Sequence, residues 1–338
     1  MASLKDIAKE LDVSVSLVSK VLNNRFGTTG ARKDLIEKIR AKAEELGYQR
    51  NHNALALLAN RQNSIAVFIH RSGVKSAGYT DELLEGVAKA ARSQQLRLII
   101  DFFTEPNEFA QKISAMHTGI VDGVIITGVN HPELIPRLRE MKAKGLKIIS
   151  IYPESVHPDL PNIGLAEEEL TYVGTQLLIK NGCRRIVHFN LFEDRLKGYL
   201  RALDEAGIPV IDELIHQMPE PPDGFRHFSG EAAIKNLLDR GIKFDGLSAQ
   251  SDTQAFGAIN ELVRRGIQVP EQVKVVGVDD SPACKVAIVP LTSVSLNYAE
   301  RGEIAINLME RAMTKSSIRS VQVSGELTVR KSCGSYIE

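Results

Sequence analysis

The chain has no tryptophan, only three cysteines and no apolar run long enough to span a membrane. Cys183, Cys284 and Cys333 are far apart and odd in number, which fits neither a disulfide framework nor a zinc knuckle. We expect three incidental thiols in a reducing, cytoplasmic compartment. The amino terminus is polar and amphipathic, so we expect no secretory signal.

Motifs that mark enzymes of the common α/β classes are also missing. The sequence contains no GxGxxG after a strand, no GxxxxGK[ST], no HExxH and no GxSxG. Five histidines show no metal-ligand spacing: His70, His117, His131, His157 and His188. We therefore predict that the protein is not an enzyme and that it needs neither a cofactor nor a metal.

The net charge is zero over 338 residues, but it is unevenly distributed. Residues 1–63 contain 11 Lys and Arg against 7 Asp and Glu, so the remainder of the chain is acidic by the same margin. A basic head on an acidic body is typical of a protein that contacts phosphate at one end only.

Residues 3–24, SLKDIAKELDVSVSLVSKVLNN, predict two short helices joined by a tight turn. Ser3 and Asp6 form a capping-box pattern, Asp12 tolerates the left-handed backbone of the turn, and Ser14 can cap the second helix. The apolar pattern places the following side chains of the second helix inward: Val15, Leu17, Val18, Val21 and Leu22. Such a pair can place its second helix in a DNA major groove, although an ordinary αα-hairpin is the alternative.

A third helix is predicted to follow and to end at Gly47, which completes a small helix-turn-helix domain. Beyond it, residues 54–59 favour a helix that is too short to be stable alone. This stretch is either an apolar linker or a hinge that becomes helical when paired with its copy on DNA, with a leucine wedged into the minor groove.

From residue 64 onward, continuous apolar runs alternate with amphipathic helical stretches. The predicted strands are Ile65–Ile69, Leu98–Phe103, Gly123–Thr127, Lys147–Tyr152, Arg185–Phe189, Gly246–Ala249 and Val273–Val278. Parallel sheets covered by helices on both faces have this pattern, and seven runs are too many for one sheet. The predicted fold class is therefore an all-α head followed by an α/β body of two doubly wound parallel-sheet subdomains, with ligands bound at the carboxyl ends of the strands.

The whole chain resembles the LacI/GalR family of bacterial transcription regulators. VSVSLVSKVLNN is similar to the family's VSxxTVSRVLN, and LGYQRN is similar to LGYxPN. GCRRIVHF, DRLKGYLRALDEAGI, SDTQAFGAINELVRRGIQVPEQVKVVGVDD, PLTSVSL and GELTVRKS follow the family's other landmarks in order. The resemblance implies a homodimer on a near-palindromic double-stranded DNA operator and a body like the type I periplasmic binding proteins, with a small molecule bound between its subdomains.

The resemblance also implies the residues of each site. DNA contacts are expected from Ser14, Val15, Ser16, Ser19, Lys20, Asn23, Asn53, Ala54 and Leu57, with Leu57 as the intercalating leucine. An effector, most simply a sugar or sugar derivative, is expected to contact Thr127, Tyr152, Arg195, Phe225, Asp252 and Asp279. The alternative for Arg195 and the two acids is a set of structural ion pairs.

The expected boundaries follow from the same comparison of patterns. They are residues 1–49 for the head, 50–63 for the hinge, 64–160 with 293–325 for the first subdomain, and 161–292 with 326–338 for the second. No heptad tail follows the last strand-like run, so we expect a dimer rather than a tail-bundled tetramer.

Several positions depart from the family pattern, which puts the effector's identity in doubt. In the body, Ala166 and Glu167 replace the usual Asp-Asn pair, and Leu296 replaces a common Gln. A transport receptor is the rival of similar architecture, but it would lack a DNA-binding head. We predict a cytoplasmic, effector-controlled transcription regulator, most simply a repressor, that does not associate with membranes.

Overall fold

A computed structural model of the chain describes residues 2–22, 32–48, 61–70, 79–116, 120–127, 134–152, 157–219, 226–314 and 317–334. Contacts divide it into two compact units, Met1–Gln62 and Asn63–Glu338, which we call the head and the body. The predicted hinge contacts Asn53, Ala54 and Leu57, together with Asn23 and Phe225, lie outside the described residues.

The head contains the three predicted helices. They are α1 (Leu4–Glu10), α2 (Val15–Leu22) and α3 (Lys33–Glu45). The capping box is confirmed, since Asp6 N–H donates to Ser3 Oγ and Ser3 N–H donates to Asp6 Oδ2 at 2.7 Å. The turn passes through Asp12 at φ +48°, and Ser14 Oγ accepts from Leu17 N–H at 3.2 Å. Local sequence therefore determines both the turn and the start of α2.

The core of the head contains most of the side chains that were predicted to face inward. Ile7, Val18, Val21 and Ile39 are fully buried. The inward placement of Val15 is wrong, because 40% of its surface is exposed. Val15 is the first residue of α2, and like its neighbour Ser16 it is exposed.

The body contains twelve strands and nine helices within the described ranges. The strands are β1 (Ser64–His70), β2 (Arg97–Phe103), β3 (Gly123–Thr127), β4 (Lys147–Ile151), β5 (Asn162–Leu165), β6 (Ile186–Asn190), β7 (Ile215–Gln217), β8 (Gly246–Ser248), β9 (Lys274–Asp279), β10 (Thr292–Ser295), β11 (Val321–Val323) and β12 (Glu326–Thr328). The helices are α4 (Tyr79–Ser93), α5 (Pro106–Met116), α6 (Ile135–Ala143), α7 (Glu167–Lys180), α8 (Glu193–Glu205), α9 (His227–Asp239), α10 (Asp252–Arg264), α11 (Ala283–Val286) and α12 (Tyr298–Thr314).

These strands form two six-stranded sheets, as predicted. The first has the order β11-β5-β4-β3-β1-β2 and is parallel throughout. The second has the order β12-β10-β9-β8-β6-β7 and is parallel except for the β10–β12 pair. Each sheet has an apolar core on both faces, so the central strands are buried along their length.

The chain crosses between the sheets a few residues later than we predicted. β5 pairs with β4, so the first subdomain extends to Leu165 rather than to residue 160. β10 pairs with β9, so residues 293–295 belong to the second subdomain and the return segment begins near α12. Both boundary strands have only four residues, which is too short for an apolar run to indicate their sheet.

Candidate functional site

The exposed edge of α2 presents the side chains that were predicted to read DNA. Ser14, Val15, Ser16 and Lys20 are exposed, and Ser19 is half-buried. Opposite them, Val18 and Val21 anchor the helix in the head core. This arrangement leaves small polar side chains and one ammonium group on a rigid helix, as major-groove readout requires.

A second group of polar residues gathers at the carboxyl ends of the strands in the body. Arg195 lies in the first turn of α8, after β6, and is 4% exposed. Its Nε donates to Glu167 Oε2, and its Nη1 donates to the carbonyl oxygen of Gln250 at 2.5 Å. The guanidinium also lies 5.3 Å from the centre of the Phe192 ring. Arg195 is thus held by contacts to three different segments.

The approach of α8 to α7 brings Arg195 to Glu167. Gly198 lies one turn after Arg195, and a Cβ there would be 2.0 Å from the carbonyl oxygen of Glu168. Only glycine fits this crossing without moving the backbone. The close contact places the first turns of the two helices side by side, so the carboxylate of Glu167 reaches the guanidinium.

Asp252 opens α10 directly after β8 and is 1% exposed. Its Oδ1 accepts from Ser293 Oγ at 2.5 Å, and its Oδ2 accepts from Ser281 N–H at 2.7 Å and from Cys284 Sγ at 3.0 Å. Burial raises the pKa of this carboxyl, and the hydrogen bonds from Ser293, Cys284 and Ser281 oppose the rise. With three internal donors, Asp252 joins α10 to the loop after β9, to α11 and to β10.

Asp279 ends β9 in the left-handed region, at φ +119°. Burial and the nearby carboxylate of Asp252 raise its pKa well above the usual aspartate value, while Arg195 opposes the rise. In the described part of the chain, no lysine or arginine forms an ion pair with it. A strained residue with a destabilised charge is a typical mark of a functional position.

The first sheet contributes Thr127 and Tyr152, the last residue of β3 and the residue after β4. Thr127 is 4% exposed, and its Oγ1 has no hydrogen-bond partner among the described residues. The backbone of Tyr152 is fixed by Asn162, which accepts from its N–H at 3.2 Å and donates to its carbonyl oxygen at 2.9 Å. Both residues therefore lie where the fold class places ligand contacts.

Carboxylates of the second subdomain affect the pKa of a carboxyl group in the first. Glu82, in the first turn of α4, has a raised pKa because of burial, then of Asp280, Glu85 and Asp252. Lys285 partly offsets this effect.

Sequence reasoning missed four residues of this site. Glu167 was noticed only as a departure from a family pattern, and Gln250, Phe192 and Glu82 gave no signal. Gln250 is 1% exposed, and its side chain is held by a hydrogen bond to the buried His188, with 3.2 Å between the two Nε2 atoms. Burial lowers the pKa of His188 to about 3, so that imidazole is neutral.

The three cysteines lie within the described ranges and are free and buried. Across those same ranges, no group of three histidine, cysteine or acidic side chains is arranged to hold a metal ion. No helix among the described residues combines the length and apolarity needed to cross a membrane.

Two family models match the chain, one on each unit. Residues 3–51 match the bacterial regulatory proteins of the lacI family, and residues 175–333 match the periplasmic binding protein-like domain. A helix-turn-helix head on a two-sheet body of this kind defines the class of DNA-binding transcriptional regulators.

Curated relatives and solved structures are similar to the chain over nearly its whole length. The chain is 27% identical to the HTH-type transcriptional regulator RegA of Clostridium saccharobutylicum over 94% of each protein. It is 26% identical to the catabolite control protein A of Priestia megaterium over 98% of each. Its fold is similar to that of a CelR–cellobiose complex, with a TM-score of 0.69 and 25% identity over 98% of this chain and 100% of that one.

The Lac repressor dimer bound to operator and the anti-inducer ONPF has the same fold, with a TM-score of 0.74 and 19% identity over 98% of this chain and 99% of that one. The chain combines a lacI-family helix-turn-helix domain with a periplasmic binding protein-like domain, and its homologues are LacI-family transcription regulators. The homologues are transcriptional regulators rather than enzymes.

Proposed function

We propose that the protein is a cytoplasmic transcriptional repressor that binds a near-palindromic operator as a homodimer. The observation that carries this proposal is the exposed edge of α2, where Ser14, Val15, Ser16 and Lys20 surround the start of a well-anchored helix. Lys20 can donate to guanine O6 and N7, and the small side chains can approach base edges closely. Asn23, Asn53, Ala54 and Leu57 are proposed to complete the DNA contact.

The homodimer has support from the surface of the body. At the end of α11 and just beyond it, 84% of Val286 and the whole of Ile288 are exposed. Two neighbouring, fully exposed aliphatic side chains are unusual on a monomer and typical of an interface. A second copy of the chain is the occupant that two half-sites on an operator require.

The proposed effector site is formed by Thr127 and Tyr152 on the first sheet and by Arg195 and Asp279 on the second, with Phe225 as a further wall. We assign Asp252 to positioning, because its carboxylate already accepts three internal hydrogen bonds. The effector is proposed to be a sugar or sugar derivative, as cellobiose is in the CelR complex. Its binding would shift the subdomains and change operator affinity.

Selection of duplexes by the purified full chain tests the DNA-binding half of this proposal. A randomised double-stranded library should yield a near-palindromic sequence with two half-sites, and the enriched duplex should bind about a thousandfold tighter than a scrambled one. Affinity for both should fall steeply with salt. Recovery of no enriched sequence, or of a single half-site with no symmetry, would contradict the proposed dimeric repressor.

A further inference from the structure

The charges at the proposed effector site are not balanced. Arg195 and Arg330 are buried cations beside its acids, and each already has a carboxylate partner. Glu167 accepts from Arg195, and Asp280 lies 2.6 Å from Nη1 of Arg330. The other acids of the site, Glu82, Asp252 and Asp279, form no ion pair within the described part of the chain. The site therefore contains more carboxyl groups than cationic side chains paired with them.

Glu167 has a specific effect on what the site can accept. The side chains of Arg195 and Glu167 are 5% and 12% exposed, so little water screens their interaction. The guanidinium is also committed to the carbonyl oxygen of Gln250. A free buried arginine would favour a phosphate or carboxylate, but here its charge is neutralised before any ligand arrives.

Asp279 and Glu82 are two of the three acids whose pKa values rise without an ion-pair partner, and an added cation would stabilise their ionised forms. For Asp279 the rise comes from burial and from Asp252, and for Glu82 it comes from burial and from Asp280. The exposed Lys285 is the one ammonium that acts on Glu82, and its effect is smaller than that of the acids. Neither carboxyl forms an ion pair among the described residues, so an added cation would favour its ionised form.

Two uncharged features point to a ligand of the same kind. Phe192, at the N-cap of α8, is 36% exposed beside the Arg195–Glu167 pair, and an aromatic face stabilises an ammonium group. On the first sheet, Thr127 is only 4% exposed, and its hydroxyl has no hydrogen-bond partner among the described residues. A hydroxyl or amine of a bound ligand would supply the hydrogen bond that this buried hydroxyl lacks.

We propose that the effector is a cationic polyol, an amino-substituted sugar or a close analogue, whose ammonium group is held by the carboxylate of Asp279. This inference rests on the proposed function, since it assigns the chemical class of ligand to the proposed effector site. Glu82 adds negative potential from the first subdomain, and Thr127 bonds a ligand hydroxyl. Glu167 makes the site selective, because it prevents Arg195 from attracting anionic sugars.

The test compares paired probes on the full-length protein by titration calorimetry at neutral pH. Glucosamine is paired with glucose, galactosamine with galactose, and glucose 6-phosphate serves as the anionic probe. We expect at least one amino sugar to bind about tenfold more tightly than its neutral partner, and the phosphate ester to bind more weakly than either.

Three variants separate the roles of the carboxylates. Asp279→Asn should remove the preference for the amino sugar. Glu167→Gln should reduce the preference and strengthen binding of glucose 6-phosphate, because it frees the charge of Arg195. Glu193→Gln is the matched control, since this acid lies on the same helix as Arg195 with 86% of its side chain exposed, and it should leave the ratio unchanged.

The proposal is overturned if neither amino sugar binds, if the neutral sugars bind as tightly as their amino partners, or if the phosphate ester binds best. It is also overturned if the preference survives both Asp279→Asn and Glu167→Gln. The proposed function fails separately, through the duplex selection. A neutral sugar that binds and alters operator affinity would leave the regulator assignment standing and remove only the ammonium ligand.

Discussion

The guanidinium of Arg195 donates through Nε to the carboxylate of Glu167, and both side chains are almost fully buried. From the sequence, Arg195 could have been an effector contact or a member of a structural ion pair. Its ion pair is with Glu167 rather than with Asp252 or Asp279, so Asp279 forms no ion pair with it. The same pair therefore affects both stability and ligand preference.

Removing Glu167 should destabilise the body strongly. Glu167→Ala would leave the charge of Arg195 buried without a partner, which costs about 3–5 kcal/mol when a buried ion pair is broken. Urea denaturation followed by far-UV circular dichroism measures this loss. The control is Glu303→Ala, because Glu303 pairs with Lys89 on the surface, where the two side chains are 34% and 72% exposed. That change should cost about 0–1 kcal/mol, and equal losses for the two variants would contradict the buried pair.

Asp279 and Asp252 should respond in opposite directions to the same substitution. Asp279 has a raised pKa and no ion pair, so Asp279→Asn removes a buried charge and should raise the Tm at neutral pH by about 2–4 °C. Asp252→Asn should lower the stability by about 1–3 kcal/mol, because one amide oxygen cannot accept from Ser293, Ser281 and Cys284 together. Thermal unfolding of the two variants in one buffer checks the contrast.

The gain from Asp279→Asn should depend on pH with a definite sign. The folded protein holds the proton of Asp279 more tightly than the unfolded chain, since burial and Asp252 raise the folded pKa while Arg195 lowers it. Stability of the natural protein therefore falls as pH rises from the ordinary aspartate pKa to the raised one. Below that window the variant and the natural protein should have similar Tm values, and a gap that widens toward acid pH would contradict the assignment.

Local patterns predicted the elements of the fold more reliably than the contacts of the site. The capping box at Ser3, the left-handed turn at Asp12 and the cap at Ser14 all depend on neighbours within three residues, so they were predicted from sequence. The long buried strands were also predicted because their apolar runs are continuous. Strands β5, β7, β10 and β11 have three or four residues each and give no such run.

Side-chain direction at the site could not be predicted. Sequence position placed Asp252 beside a strand end, but its carboxylate accepts from Ser293, 41 residues away, and therefore points into the fold. The partner of Arg195 is 28 residues away and reaches it only because Gly198 lets two helices approach closely. Pairings of this kind depend on how helices cross, which no local pattern encodes.

Lys20 should contribute to sequence recognition rather than to general attraction for DNA. It is exposed on α2 beside Ser16, so Lys20→Met should weaken binding to the selected operator by about 1–3 kcal/mol and relax the preference at one base position. Lys9→Met, on α1, is the matched control for lost charge and should reduce affinity for all duplexes alike. Fluorescence anisotropy with operator and scrambled duplexes checks both, and an equal loss on the two duplexes for Lys20→Met would contradict base readout.

Association of two copies of the chain should depend on the side chain of Ile288. Its side chain is fully exposed, and Val286, two residues earlier, is 84% exposed, so the two residues offer apolar surface that a second copy would cover. Ile288→Asp would place a carboxylate in that contact, where burying an unpaired charge is costly. We expect sedimentation velocity to show a shift from dimer to monomer.

The same variant should bind operator more weakly, because two linked heads gain affinity from each other and a single head does not. Val210→Asp is the control, since Val210 is 48% exposed in the loop after α8 and the change adds the same charge elsewhere on the body. That protein should remain dimeric and retain its operator affinity. A dimer that survives Ile288→Asp with unchanged operator binding would show that the copies associate through another surface.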